Sequence, residues 1–253
     1  MKMPWQLFRF RSVNEYLWQE LEFSEFYCCS PFKLNDPFDC RIDWRRAIER
    51  TLLLPQLPAH QRATLRAIHQ GFENREPSDN SGICCFSVNM ENHLMWSHYA
   101  DAWRGVCLYY EIPQDYFWDR YPAPTNADLN ATTFFVGGTP VRYQEDAFAG
   151  WLAVGDFSEP LPDAPVSNAA AKILSSKAPA WAHEKEFRIV TNREGALKFE
   201  PEFLKQVTFG LGASARHREM ITRMARRNNS QVAITEVVRS ASSDFGLEFP
   251  DVT

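Results

Sequence analysis

Apolar and basic positions alternate along Leu7-Phe8-Arg9-Phe10-Arg11, the period-two pattern of a half-buried strand, and residues 14–21 then follow helical spacing. A second strand is predicted over 25–30. It runs into Pro31-Phe32-Lys33-Leu34-Asn35-Asp36-Pro37-Phe38-Asp39, where Asp36 is placed to cap a helix begun by Pro37. Helices are predicted over 43–54 and 59–72, divided by Pro55 and Pro58 and followed by a polar loop over 74–81. This pair reads as a helical insertion spanning about 43–73.

Gly82-Ile83-Cys84-Cys85-Phe86-Ser87 predicts a buried strand, 92–103 a helix and 105–111 another strand entered through a glycine turn. Within 92–103, Trp96, Tyr99 and Trp103 share one apolar face. From 113 to 165 proline, glycine and aspartate are frequent, with strands expected over 132–136 and near Val141 and a helix over 147–154. Ser167 is expected to cap an Ala-rich helix. Residues 181–191 carry the alternating stretch Glu184-Lys185-Glu186-Phe187-Arg188-Ile189-Val190, and the chain closes with a strand over 207–211, a helix from Ser214 to Arg227 and a strand over 232–238.

These elements predict one α+β domain over 1–253, with a mixed, mainly antiparallel sheet, flanking helices and the insertion. The 253 residues are 45% hydrophobic, enough to bury a substantial core, and the net charge of -5 provides no global attraction to phosphate or anionic lipid. Any nucleic-acid contact must be local. Its best candidate is the last helix, which sets Arg216, Arg223 and Arg227 on one face and Met220, Ile221 and Met224 on the other. No apolar run reaches membrane-spanning length and the opening residues lack the apolar core of a signal peptide, so a cytoplasmic protein is expected. The six cysteines, Cys28, Cys29, Cys40, Cys84, Cys85 and Cys107, form no paired C-x-x-C framework and are expected to be reduced thiols, with no metal site.

Five blocks resemble a bacterial family known as domain of unknown function twenty-nine seventy-one: Phe8-Arg9-Phe10-Arg11-Ser12; Ser30-Pro31 with Asn35-Asp36-Pro37-Phe38-Asp39; Trp96-Ser97-His98-Tyr99-Ala100 with Gly105-Val106-Cys107; Trp181-Ala182-His183-Glu184-Lys185-Glu186-Phe187-Arg188; and Gly210-Leu211-Gly212-Ala213-Ser214. They span most of the chain in order. The sequence of a first strand with a basic residue, a helix, a second strand ending in small polar residues and a late strand with Glu-x-Glu is similar to the ADP-ribosyltransferase superfamily. That resemblance implies an ADP-ribosyltransferase-like fold using NAD, with Arg11 holding NAD, Ser30 shaping the cleft and Glu186 stabilising the reacting ribose. Ser-Pro stands here in place of the usual Ser-Thr-Ser, and the interval from Arg11 to Ser30 is short.

On a strand, Glu184, Glu186 and Arg188 would share one face. Glu186 is the candidate carboxylate for an oxocarbenium-like state, Glu184 could orient the attacking group, and Arg188 could pair with either carboxylate or contact a phosphate. The same row also fits an exposed strand face of alternating charge. Arg9 and Arg11 could grip a pyrophosphate together, or simply face solvent. His98 is a secondary candidate for proton transfer, His183 stands beside the Glu-x-Glu row, and Asn35 and Tyr99 are expected at the cofactor cleft. The expected partner is a macromolecular acceptor, protein or nucleic acid, and the resemblance adds a role as a toxin or antiphage effector with a cognate regulatory protein. Two rivals stand beside this: a non-enzymatic binding or regulatory subunit of a defence or toxin–antitoxin system, and a nucleic-acid hydrolase working through His98 and the glutamates.

Overall fold

The structure is a computed structural model that describes residues 3–73, 76, 78–79, 81–124, 132–155, 157 and 165–250. The predicted loop 74–81 and the tract 113–165 therefore fall partly outside the described residues. The first half of the chain forms β1 (Trp5–Arg11), α1 (Glu15–Phe23), β2 (Glu25–Cys28), α2 (Trp44–Leu52), α3 (Ala59–Gly71), β3 (Gly82–Ser87), α4 (His93–Tyr99) and β4 (Val106–Ile112). Then come α5 (Tyr116–Arg120), β5 (Phe135–Pro140), β6 (Arg142–Tyr143), α6 (Ala147–Val154), α7 (Pro165–Leu174) and β7 (Ser176–Lys177). The last part holds β8 (Glu186–Thr191), β9 (Gly195–Lys198), β10 (Leu204–Phe209), α8 (Ala215–Asn228) and β11 (Ala233–Glu236).

Seven strands make the main sheet in the order β11-β10-β4-β1-β3-β8-β5, antiparallel throughout except for the parallel pair β10 and β11. The fold is thus α+β with a mixed, mainly antiparallel sheet. Side-chain alternation divides its core. Leu7, Cys84, Phe86, Leu108 and Ile189 join Leu17 and Leu21 of α1 and Ile221 and Ala225 of α8 in the largest apolar cluster. Phe8, Phe10, Cys107 and Tyr109 belong to another cluster with Trp96 of α4. The predicted insertion helices α2 and α3 pack with α6 and α7 in a separate cluster built on Trp44, Ile48, Leu65 and Phe148.

The main sheet is divided at its centre. β1 pairs with β4 over seven residue pairs but with β3 through Phe8 and Ser87 alone, after which the two strands part. The opposite end of β3 is taken up by Cys29, which bridges Ile83 beyond β2. Between these anchor points the edges of Arg9–Arg11 and of Cys84–Phe86 stand apart, and the gap is the floor of a cleft.

Several expected boundaries move, each for a local reason. Pro37 begins a turn rather than a helix: Asp36 Oδ1 accepts from the backbone N–H of Phe38 at 2.9 Å, but Cys40 takes a left-handed φ of 59° and the buried Asp39 is directed into an ion-pair network. The helix expected over 92–103 stops at Tyr99, because Asp101, Ala102 and Trp103 are all left-handed (φ 50°, 49° and 69°). α7 starts at Pro165, which puts Ser167 inside the helix rather than at its cap, and the strand expected over 132–136 runs instead from Phe135 to Pro140. Residues Pro179–Glu184 form a 3-10 turn, and Lys185 is left-handed (φ 45°), so the Glu-x-Glu row is not one strand.

Candidate functional site

A cavity of about 460 Å³ lies over the gap between β1 and β3. Its walls include Arg9, Arg11, Asn35, Tyr99, Glu184 and Glu186, so six of the residues singled out in the sequence meet in one place. Three do not line it. Ser30 caps the short 3-10 turn Pro31–Lys33 by accepting from the N–H of Phe32, His98 is exposed on α4, and Arg188 is completely buried behind the wall.

Arg9 projects from β1 between the rings of Phe86 and Phe26, its guanidinium carbon 5.2 and 5.4 Å from their centroids, an arrangement that favours a cation. Arg9 and Arg11 share one carboxylate. Glu20 Oε2 accepts from Arg11 Nε at 2.9 Å and lies 3.2 Å from Arg9 Nη1, while Tyr110 donates to Glu20 Oε1 at 2.7 Å. Burial pushes the Glu20 carboxyl up, but Arg9 and Arg11 outweigh it and hold it below the ordinary range. Two guanidinium groups against one carboxylate leave one surplus positive charge. Arg9 Nη1, close to Glu20 but out of line for a hydrogen bond, has no hydrogen-bond partner although the residue is only 6% exposed.

The opposite end has the reverse imbalance. Asp39, Glu184 and Glu186 surround Lys177 and Arg188, three carboxylates against two cations. Lys177 Nζ stands 2.6 Å from Glu184, 3.2 Å from Asp39 and 3.3 Å from Glu186. Burial favours loss of its proton, yet Glu186, Asp39 and Glu184 together keep the ammonium protonated above its usual range. Arg188 spends every donor within the protein: Nε and Nη2 on Glu186, Nη2 also on Asp39, and Nη1 on the Leu174 carbonyl and the Cys40 sulfur. Of the two roles open to it, Arg188 thus takes the pairing with a carboxylate and not that of a phosphate ligand, and the alternative of an exposed charged strand face is not formed, since all six residues of β8 are buried.

The two glutamates differ in what they have left to offer. An ionised carboxylate has about four acceptor positions. Glu186 accepts from Arg188 Nε at 2.8 Å, Arg188 Nη2 at 3.0 Å and Lys177 at 3.3 Å. Burial raises its carboxyl, and the Arg188 guanidinium reverses this and holds it at about 2. Glu184 accepts from the Tyr99 hydroxyl on one oxygen and from Lys177 on the other, leaving acceptor positions free on both. Asn35 Nδ2 donates to the same Tyr99 oxygen at 3.0 Å, completing a relay from Asn35 through Tyr99 to Glu184. Burial and the adjoining Glu184 carboxylate raise the Tyr99 hydroxyl well above its ordinary range, so it remains a donor.

The backbone explains why Tyr99 reaches this point. It is the last residue of α4, whose cap Asn92 accepts from the N–H groups of Leu94 and Met95. The left-handed turn beyond it is pinned by Gly212, which donates to the Trp103 carbonyl at 2.9 Å, while Trp103 stacks on Trp96 with ring centroids 5.2 Å apart. A Cβ on Gly210 would meet that carbonyl oxygen at 2.2 Å, so the closing Gly-Leu-Gly and the Trp-Ser-His-Tyr block are two sides of one contact. Lys177 and Asp39, which tie the acidic end together, were not among the expected site residues. Asp39 stood in the quoted Asn-Asp-Pro-Phe-Asp block, whereas nothing in the spacing around Lys177 marks it. His183 hydrogen-bonds through Nδ1 to the Ala180 carbonyl at 3.1 Å and has its Nε2 buried without a partner, 6.4 Å in ring centroids from His98. Among the described residues no three His, Cys, Asp or Glu side chains gather as a metal-ligand set, and no helix is long and apolar enough to cross a membrane.

Comparison of the chain with protein families, curated proteins and solved structures finds no match in any of the three.

Proposed function

We propose that the cleft binds NAD and that the chain is an ADP-ribosyltransferase-like enzyme acting on a macromolecular acceptor. The observation that carries this reading is the opposed charge of the two ends of one cavity: a surplus cation at Arg9 and Arg11, a surplus anion at Asp39, Glu184 and Glu186. NAD has the complementary pattern, a diphosphate carrying negative charge and a nicotinamide ring carrying positive charge. With the ring at the acidic end, its bond to the ribose lies among carboxylates.

In the reaction the bond between the nicotinamide nitrogen and the ribose C1′ breaks. Its electron pair leaves with nicotinamide, which departs neutral, and positive charge develops on the ribose. A fixed carboxylate stabilises that charge without reorganising. The acceptor then forms a bond to C1′ and gives up its proton. Glu184 suits the contact with the ribose better than Glu186, because Glu184 retains acceptor positions and is oriented by Tyr99 and Lys177, whereas Arg188 and Lys177 already occupy Glu186. Glu186 acts one step back, holding Lys177 and Arg188 in place.

The test is nicotinamide release from NAD by the wild type and by Glu184→Gln. Loss of this carboxylate is expected to slow release by about a hundredfold or more. The near-complete internal pairing of the carboxylates favours one rival, a module that binds NAD without cleaving it. NAD binding with no nicotinamide release, in the presence of cell extract as a source of acceptor, would move the conclusion to that rival.

A further inference from the structure

The basic end of the cleft has more than charge. Tyr16 and Tyr27 line the same cavity and leave 51% and 41% of their surface exposed. Local bonds place the backbone of the first and the side chain of the second. Tyr16 lies in the first turn of α1, where its N–H donates to the Asn14 cap at 3.1 Å. Tyr27 lies between the buried Phe26 and Cys28 on β2, so alternation turns it away from the core, and its hydroxyl donates to Glu194, which also takes Lys33 at 2.5 Å. Two exposed aromatic side chains, that of Tyr27 fixed through its hydroxyl, thus line one cavity with a buried arginine whose Nη1 has no hydrogen-bond partner.

We propose that this end is a subsite for a purine nucleoside diphosphate, with the phosphates on Arg9 and Arg11 and the base against Tyr16 and Tyr27. Phosphate oxygens reaching the guanidinium groups of Arg9 and Arg11 that line the cavity neutralise the surplus charge the two share over Glu20. A purine is flat and apolar on its faces, so it can cover tyrosine rings that water otherwise covers. The acidic end cannot take the phosphates, because Asp39, Glu184 and Glu186 already exceed the cations among them. The orientation of NAD follows: adenine half at Tyr16 and Tyr27, nicotinamide half at Glu184. Only this orientation rests on the NAD reading, since a purine diphosphate can occupy the basic end whether or not NAD is a substrate.

The experiment is calorimetric titration of ADP and of nicotinamide mononucleotide into the wild type, Tyr27→Ala and Tyr27→Phe, with a thermal melt of each to confirm folding. ADP is expected to bind at least tenfold more tightly than nicotinamide mononucleotide. Tyr27→Ala should weaken ADP about tenfold or more while leaving the mononucleotide unchanged, and Tyr27→Phe, which keeps the ring, should retain most ADP affinity. Tighter binding of the mononucleotide, or ADP affinity indifferent to Tyr27→Ala, overturns the subsite. ADP binding with this pattern but no nicotinamide release from NAD upholds the subsite and removes the enzymatic reading alone.

Discussion

Glu186→Gln separates a buried strut from a surface charge. The substitution keeps the shape of the side chain but replaces an acceptor-only carboxylate with an amide, so an NH2 group must face donors from Arg188 or Lys177. A carboxyl held at about 2 instead of its ordinary 4.5 corresponds to on the order of 3 kcal/mol in favour of the folded, ionised form. Removing one partner of a buried ion pair costs about 3–5 kcal/mol, the same range. For a chain of this size each kcal/mol moves the melting temperature by about 2–4 °C, so Glu186→Gln is expected to melt roughly 6–12 °C below the wild type. Glu184→Gln is the companion. Lys177 keeps Asp39 and Glu186 there, and the loss of stability should be smaller. The assay is thermal and urea unfolding of the three proteins at neutral pH. If Glu186→Gln melts within about 2 °C of the wild type, the carboxylate is not the internal strut described above.

The same pairing has a pH signature: because the folded carboxyl lies below its unfolded value, the Glu186 contribution is complete above about pH 4.5 and is lost as pH falls toward 2. Urea midpoints between pH 2 and 6 should show this slope in the wild type and a reduced one in Glu186→Gln. Gly210→Ala should destabilise by roughly 1–3 kcal/mol, since its Cβ would press on the Trp103 carbonyl at 2.2 Å, and urea unfolding followed by tryptophan fluorescence measures the loss. Denatured, unreduced protein should titrate six thiols, and elemental analysis should find no stoichiometric zinc; fewer thiols or bound zinc would reverse that expectation.

Much of this architecture is readable from periodicity because the elements concerned obey one local rule. Gly82–Ser87 is a run buried at every position but Cys85, Ala147–Val154 ends at Gly155 in the left-handed region, and Ser214 caps α8 as its side chain predicts. Boundaries move where tertiary contacts override local preference. Residues 101–103 would continue a helix by spacing, but the turn is held by Gly210 and Gly212 from a distant part of the chain. The charged stretch 184–188 fits a solvent-facing strand as well as a site in sequence, since nothing local announces Lys177 or Asp39 as its partners. The meeting of Arg9 and Arg11 with Glu184 depends on where β1 and β3 part, a property of register that no pattern within either strand records.

On the proposed function, one cleft offers a cationic end and an anionic end to a single dinucleotide. The most direct measurement is the thermal melt of the wild type and of Arg9→Met with and without millimolar NAD, each protein read against its own ligand-free baseline. Binding at a hundred times the dissociation constant stabilises by about 2.7 kcal/mol, so the wild type should melt several degrees higher with NAD and Arg9→Met should not respond. A wild-type melt unchanged by NAD, or an equal rise in Arg9→Met, contradicts the account.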